Sequence, residues 1–129
     1  MIKSHHELDV YHKAFEAAHQ LFVLSKSFPK EETYSLVDQL RRSSRSVCAN
    51  LAEAWRKRRY PLAFVSKLTD SEGEAAEAQV WIQFAVDCGY VTREDAAALF
   101  REYEEIIRML VAMVNSSDKW CYSQKTSTK

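Results

Sequence analysis

Glycine and proline are nearly missing from this chain of 129 residues, two of each. So few turn formers exclude a fold built from many tight hairpins, and two glycines cannot build a phosphate-cradling loop. Cysteine is sparse too. Cys48, Cys88 and Cys121 are odd in number and form no C-x-x-C pair, which suits a reducing compartment and not a disulfide framework. No apolar run approaches the ~18 residues of a membrane span. The opening residues MIKSHHELDV carry no apolar signal-peptide core, so a cytoplasmic location with no membrane contact is expected. Net charge is absent as well, with 18 basic and 18 acidic residues.

That neutrality hides a segregation. Residues 41–67 hold eight basic residues against one acid, a net +7, which leaves −7 for the rest. Such a split points to an electrostatic partner surface, an anion or another copy of the chain.

The few breakers present are well placed. Pro29, Pro61 and Gly89 divide the chain into four segments with helical periodicity and no strand-like alternation. The expected helices cover about 7–27, 30–58, 61–88 and 93–116. Pro29 is expected in the first turn of the second helix. Thr92 reads as an N-cap and Gly89 as a residue just past a helix end. Short turns between four long helices predict an all-α, antiparallel up-down-up-down four-helix bundle over residues 1–116, with 117–129 as a mobile tail.

The first helix carries two apolar seams, one through Leu8, Tyr11, Phe15, Ala18 and Phe22, the other through Val10, Ala14, Ala17, Leu21, Leu24 and Phe28. They form either one wide stripe on one core, or two faces, one of them for a neighbouring subunit. In the third helix, Phe64, Leu68, Ser71, Ala75, Ala78, Ile82 and Ala85 keep helical spacing, and Gly73 interrupts at a cost of roughly 1 kcal/mol relative to Ala.

The second helix is the richest segment. Leu36, Leu40, Ser44, Val47, Leu51 and Ala54 form its core stripe. Beside them run Gln39, Ser43, Ser46, Asn50 and Glu53, a polar line that is either solvated or covered and hydrogen-bonded. The covered alternative makes Asn50 and Glu53 a buried or interface network. A third line holds Arg41, Arg45, Arg56 and Arg59 within about 60° of one another, with Arg42, Lys57 and Arg58 alongside. These cations either contact phosphates, with Trp55 and Tyr60 as stacking groups, or pair with the acids of residues 70–77.

Enzymatic chemistry finds little support. Di-iron bundles need two Glu-x-x-His pairs, and this chain has only Glu16 and His19. Cys48 lies near Arg41 and Arg45 on the helix wheel, and cations lower a thiol pKa, but a packed structural cysteine is the simpler reading. No catalytic residue, metal or cofactor is expected.

Residues 8–114 resemble the rRNA intervening-sequence proteins, usually called four-helix-bundle proteins, and are similar to the accessory variability determinant of diversity-generating retroelements. The motifs are L-x-V-Y from Leu8, F-P-x-x-E over residues 28–32, QLRRSSRSVCANLAE over residues 39–53, Glu74 and Glu77 as E-x-x-E, and Gly89 with Tyr90. Ala54 stands where that family often has Gly. The resemblance implies a homo-oligomer, with rings of five known in the family, and no enzymatic activity. Glu74 and Glu77 join the polar interface residues. Nucleic-acid contact carries over onto Arg41, Arg42, Arg45, Arg56 and Arg59. Two function classes therefore stand side by side. One is a homo-oligomeric module that engages RNA or DNA; the other is an oligomeric protein-interaction scaffold with no nucleic-acid role.

Overall fold

A computed structural model describes residues 1–122. Four long helices dominate: α1 (Asp9–Ser25), α2 (Leu36–Arg56), α3 (Pro61–Asp87) and α4 (Arg93–Asn115). A single turn, α5 (Ser117–Trp120), follows. The described residues contain no strand. α2 lies against α3, α3 against α4, and α1 touches both α2 and α4, so one core sits between the four. Every residue of the expected α2 stripe, Leu36 through Ala54, is buried, as is the whole α3 stripe from Phe64 to Ala85. Burial of a large apolar side chain such as Phe64, Leu68 or Ile106 stabilises by roughly 1.5–3 kcal/mol.

Small residues bring α2 and α3 together. Ser71, fully buried, donates from Oγ to the Val47 carbonyl at 2.8 Å. α3 and α4 are tied by Gln79, whose Nε2 donates to the Phe100 carbonyl at 3.2 Å and to Glu104 Oε2 at 3.0 Å. Tyr103 sits at the centre with no exposed surface, and its hydroxyl makes no sound hydrogen bond among the described residues. Burial drives its phenol pKa upward, Cys48 adds to this, and nearby Ser44 pulls slightly the other way.

The helix ends follow local chemistry. Thr92 Oγ1 accepts the Asp95 amide at 3.1 Å. At the end of α3, Gly89 has φ +78°. Its amide reaches the Val86 carbonyl and the Tyr90 amide reaches the Ala85 carbonyl, each at 2.9 Å, the paired bonds of a Schellman turn.

Three boundaries differ from the sequence expectation. α1 starts at Asp9, because a 3-10 turn (His5–Glu7) and an extended Leu8 precede it, and it stops at Ser25, where the amides of Lys26, Ser27 and Phe28 turn to carbonyls three residues back. α2 begins at Leu36 and not near residue 30. Pro29 leaves its ψ extended at 148°, a separate 3-10 turn (Lys30–Glu32) follows, and Ser35 at φ −126°, ψ −102° breaks the path. The Glu32 carboxylate then accepts the Leu36 amide at 3.2 Å and so caps α2 from outside. The third difference is the tail. Trp120 packs edge-on to Trp55 with centroids 6.1 Å apart, and the Tyr122 amide donates to the Arg58 carbonyl at 3.1 Å. Residues 117–122 are therefore held against the end of α2, and the rest of the expected mobile tail, 123–129, lies outside the described residues.

Candidate functional site

The seven cations of α2 and its end separate into three environments. The first is the seam with α3. Arg42 pairs with Glu77, and its Nη1 lies 3.5 Å from Glu74 Oε1. Gln39 Oε1 accepts from Arg42 Nη2 at 3.2 Å, and Trp81 Nε1 donates to Glu77 Oε2 at 3.1 Å. One turn pair further along, Lys67 Nζ lies 2.6 Å from Glu53 Oε1 and 3.7 Å from Asp70. Lys67 holds the Glu53 carboxyl below its usual range. These cations already have their counter-charges within the chain.

The second environment is a groove between α1 and α2. Tyr11, Phe15, Ala18, Phe22, Cys48 and Ala52 line it, and it encloses about 450 Å3. Phe22 gathers cations around its ring. The Arg41 guanidinium lies 4.6 Å from the centroid, Lys26 Nζ 4.9 Å and Arg45 5.7 Å. Arg41 also donates from Nε to Ser25 Oγ at 3.0 Å. Burial pushes the Cys48 thiol up to about 11. The wheel position beside two arginines suggested the opposite shift; desolvation outweighs them because both guanidiniums turn toward Phe22.

The third environment is the end of α2, where Arg56, Lys57, Arg58 and Arg59 follow one another. Cations here also face the negative end of the helix dipole, which favours them. Arg58 is committed. Its guanidinium carbon sits 3.6 Å from the Trp55 centroid and 4.9 Å from that of Tyr122, while Nε donates to the Trp55 carbonyl at 2.9 Å. Arg56, Lys57 and Arg59 are exposed. Neither Arg56 nor Lys57 joins a salt bridge among the described residues. Tyr60, also exposed, stands next to them.

The polar line of α2 is not one network. Asn50 donates from Nδ2 to the Ser46 carbonyl of its own helix at 3.0 Å, while Glu53 turns to Lys67. Ser43 is buried, yet it bonds the Gln39 carbonyl of its own helix at 2.8 Å. Gln39, at the start of the line, joins the Arg42 cluster, and Glu53, at its end, joins the Lys67 cluster. Sequence reasoning missed Gln79, the Glu32–Tyr90 pair at 2.8 Å and the Arg58–Tyr122 contact. Only the adjacent aromatics in residues 120–122 gave any signal for the last. Among the described residues, no three His, Cys, Asp or Glu side chains cluster as a metal site would need, and no helix is long and apolar enough to cross a membrane.

Residues 6–112 match the family model described as 23S rRNA-intervening sequence protein. Among solved structures, the chain is similar to a protein with unknown function from the S23 ribosomal protein family of Bacteroides thetaiotaomicron. The two share 27% identity and superpose with a TM-score of 0.74, over 82% of this chain and 95% of that one. No curated protein matches the chain.

Proposed function

The chain belongs to the 23S rRNA-intervening sequence protein family, and from that and the charge layout above we propose a non-enzymatic, homo-oligomeric, cytoplasmic protein that engages nucleic acid through the end of α2. The four helices then form an antiparallel up-down-up-down bundle, which the short connections between them support. A ring of five is the assembly that the family resemblance favours.

One observation carries the nucleic-acid reading. Arg56 and Lys57 are exposed cations outside any described salt bridge, at a helix end that also presents Arg59 and Tyr60. By contrast, Arg42 is neutralised by α3, Arg41 and Arg45 are drawn to Phe22, and Arg58 is held on Trp55. The phosphate-facing set therefore contracts from seven residues to Arg56 and Lys57. Contacts of this kind read backbone charge and not sequence. The scaffold reading draws on the Arg42 and Lys67 ion pairs, because charges satisfied within the chain need no nucleic acid.

Fluorescence anisotropy with labelled single-stranded RNA and duplex DNA at about 50 mM salt separates the two. The nucleic-acid reading expects binding with little sequence preference, and loss of at least tenfold on Arg56→Glu with Lys57→Glu. A wild-type protein that binds neither probe leaves the scaffold reading in place.

A further inference from the structure

α3 has a second, uncharged line that its own core does not use, apolar at Leu62, Ala76, Val80 and Phe84. Leu62, Ser66, Thr69, Gly73, Ala76, Val80 and Phe84 recur at helical spacing on the side away from the core. All seven are exposed and none is charged. A helix that is uncharged on both faces is built to be covered on both. Among the described residues, nothing beyond its own stretch of helix lies within 4 Å of a Cβ placed on Gly73, so the close approach that a mid-helix glycine permits is not used there. The α1–α2 groove, which no α3 residue lines, is a second uncovered apolar surface, with Phe15 60% exposed in it.

The two surfaces are complementary in shape and in charge. One is a ridge, small in the middle at Gly73 and Ala76; the other is an open groove lined by aromatics. α3 carries five acids against one cation, Lys67, a net −4. Glu72 and Asp87, beside the ridge, join no salt bridge among the described residues. The groove is bordered instead by Lys26, Arg41 and Arg45. Two different, mutually fitting faces on one chain make a head-to-tail contact, which closes into rings when the rotation allows.

We propose that the outer face of α3 of one copy docks into the α1–α2 groove of the next copy. This assignment rests on the homo-oligomeric reading above and names the surfaces that would carry it. It is independent of nucleic acid, because Arg56 and Lys57 belong to neither face.

Native mass spectrometry of single and mixed variants tests it. Phe15→Glu places an acid in the groove, opposite the acidic ridge; Ala76→Arg places a cation on the ridge, opposite the basic groove. Both positions are exposed, and unchanged circular dichroism confirms that each variant folds. Each variant alone is expected to fall to the 14.9 kDa monomer. Mixed together they should recover one contact, since the first keeps its ridge and the second its groove. The product is a one-to-one dimer that grows no further. A two-fold contact between identical faces predicts no recovery on mixing, and that result overturns the proposal. Variants that assemble like the wild type also overturn it, since the faces then lie elsewhere. A wild type that is itself monomeric at micromolar concentration rejects the homo-oligomeric reading instead, and with it the surfaces assigned here.

Discussion

The guanidinium carbon of Arg58 lies 3.6 Å from the centroid of the Trp55 ring. The same guanidinium lies 4.9 Å from the ring centroid of Tyr122, which follows α4, and donates from Nη2 to the Tyr122 hydroxyl at 3.2 Å. One side chain thus joins the end of α2 to the segment after α4. Cation–π contacts of this kind contribute about 0.5–2 kcal/mol, more when desolvated. Arg58→Ala should lower stability by about 1–2 kcal/mol and make the segment after Trp120 more sensitive to limited proteolysis. Arg58→Lys should recover only part of this, because an ammonium cannot reproduce the planar stack and the bond to the Trp55 carbonyl together. Equal proteolysis rates in wild type and Arg58→Ala would show that Arg58 does not hold the segment.

Arg42 separates structural charge from functional charge. Its pairs with Glu74 and Glu77 are partly exposed, so each is individually weak. Its removal leaves two carboxylates facing each other on α3. Arg42→Ala should cost about 1 kcal/mol, a fall in Tm of roughly 3–5 °C for a chain of this size, and change nucleic-acid affinity less than twofold. A loss of affinity as large as that from Arg56→Glu would put Arg42 on the binding surface.

Tyr103 carries a buried hydroxyl with no sound partner. An unmade buried hydrogen bond costs about 1–3 kcal/mol, whereas an apolar group of the same shape avoids that cost. Tyr103→Phe should therefore leave stability unchanged or raise it, as read by urea denaturation. A fall of more than about 1 kcal/mol would mean that the hydroxyl is satisfied.

Cys48 sets an alkaline dependence. Its folded pKa is about 11 against an ordinary 9.0, so the unfolded chain releases this proton first as pH rises. The stability contribution is complete below pH 9 and is lost as pH climbs toward 11. Tyr90, pushed up to about 12 chiefly by its hydrogen bond to Glu32, adds to the same trend above pH 10. Tm should fall between pH 9 and 11, and Cys48→Ala should flatten that fall. At pH 8 an alkylating reagent should modify exposed Cys88 well before Cys48. Equal alkylation rates would contradict the buried-thiol assignment.

The core was legible because a single periodicity dictates it: the α2 stripe from Leu36 to Ala54 and the α3 stripe from Phe64 to Ala85 are buried residue for residue. Thr92 and Gly89 were legible because each has one strong local role, a cap and a positive φ. The start of α2 was hidden because its cap comes from Glu32, four residues upstream, and not from the residue at its end. The partners of the cations were hidden for a different reason. Whether Arg42 meets Glu77 or solvent depends on how α2 rotates against α3, and a periodic pattern leaves that angle free by tens of degrees. The docking of residues 117–122 was hidden because four residues are too short to show periodicity, while the rings of Trp120 and Tyr122 fit a site that only the folded end of α2 creates.

The salt dependence of RNA binding tests the central claim most directly. Each phosphate contact to a single strand contributes roughly −0.7 to the slope of log affinity against log salt. Contacts from Arg56 and Lys57 predict about −1.4 per engaged subunit, a loss of about sevenfold between 50 and 200 mM salt. With Arg56→Glu and Lys57→Glu together, binding should fall below detection at both salts while circular dichroism and assembly stay unchanged. An assembled wild-type sample that fails to bind at 50 mM, or binds with an affinity that salt does not alter, would contradict the account.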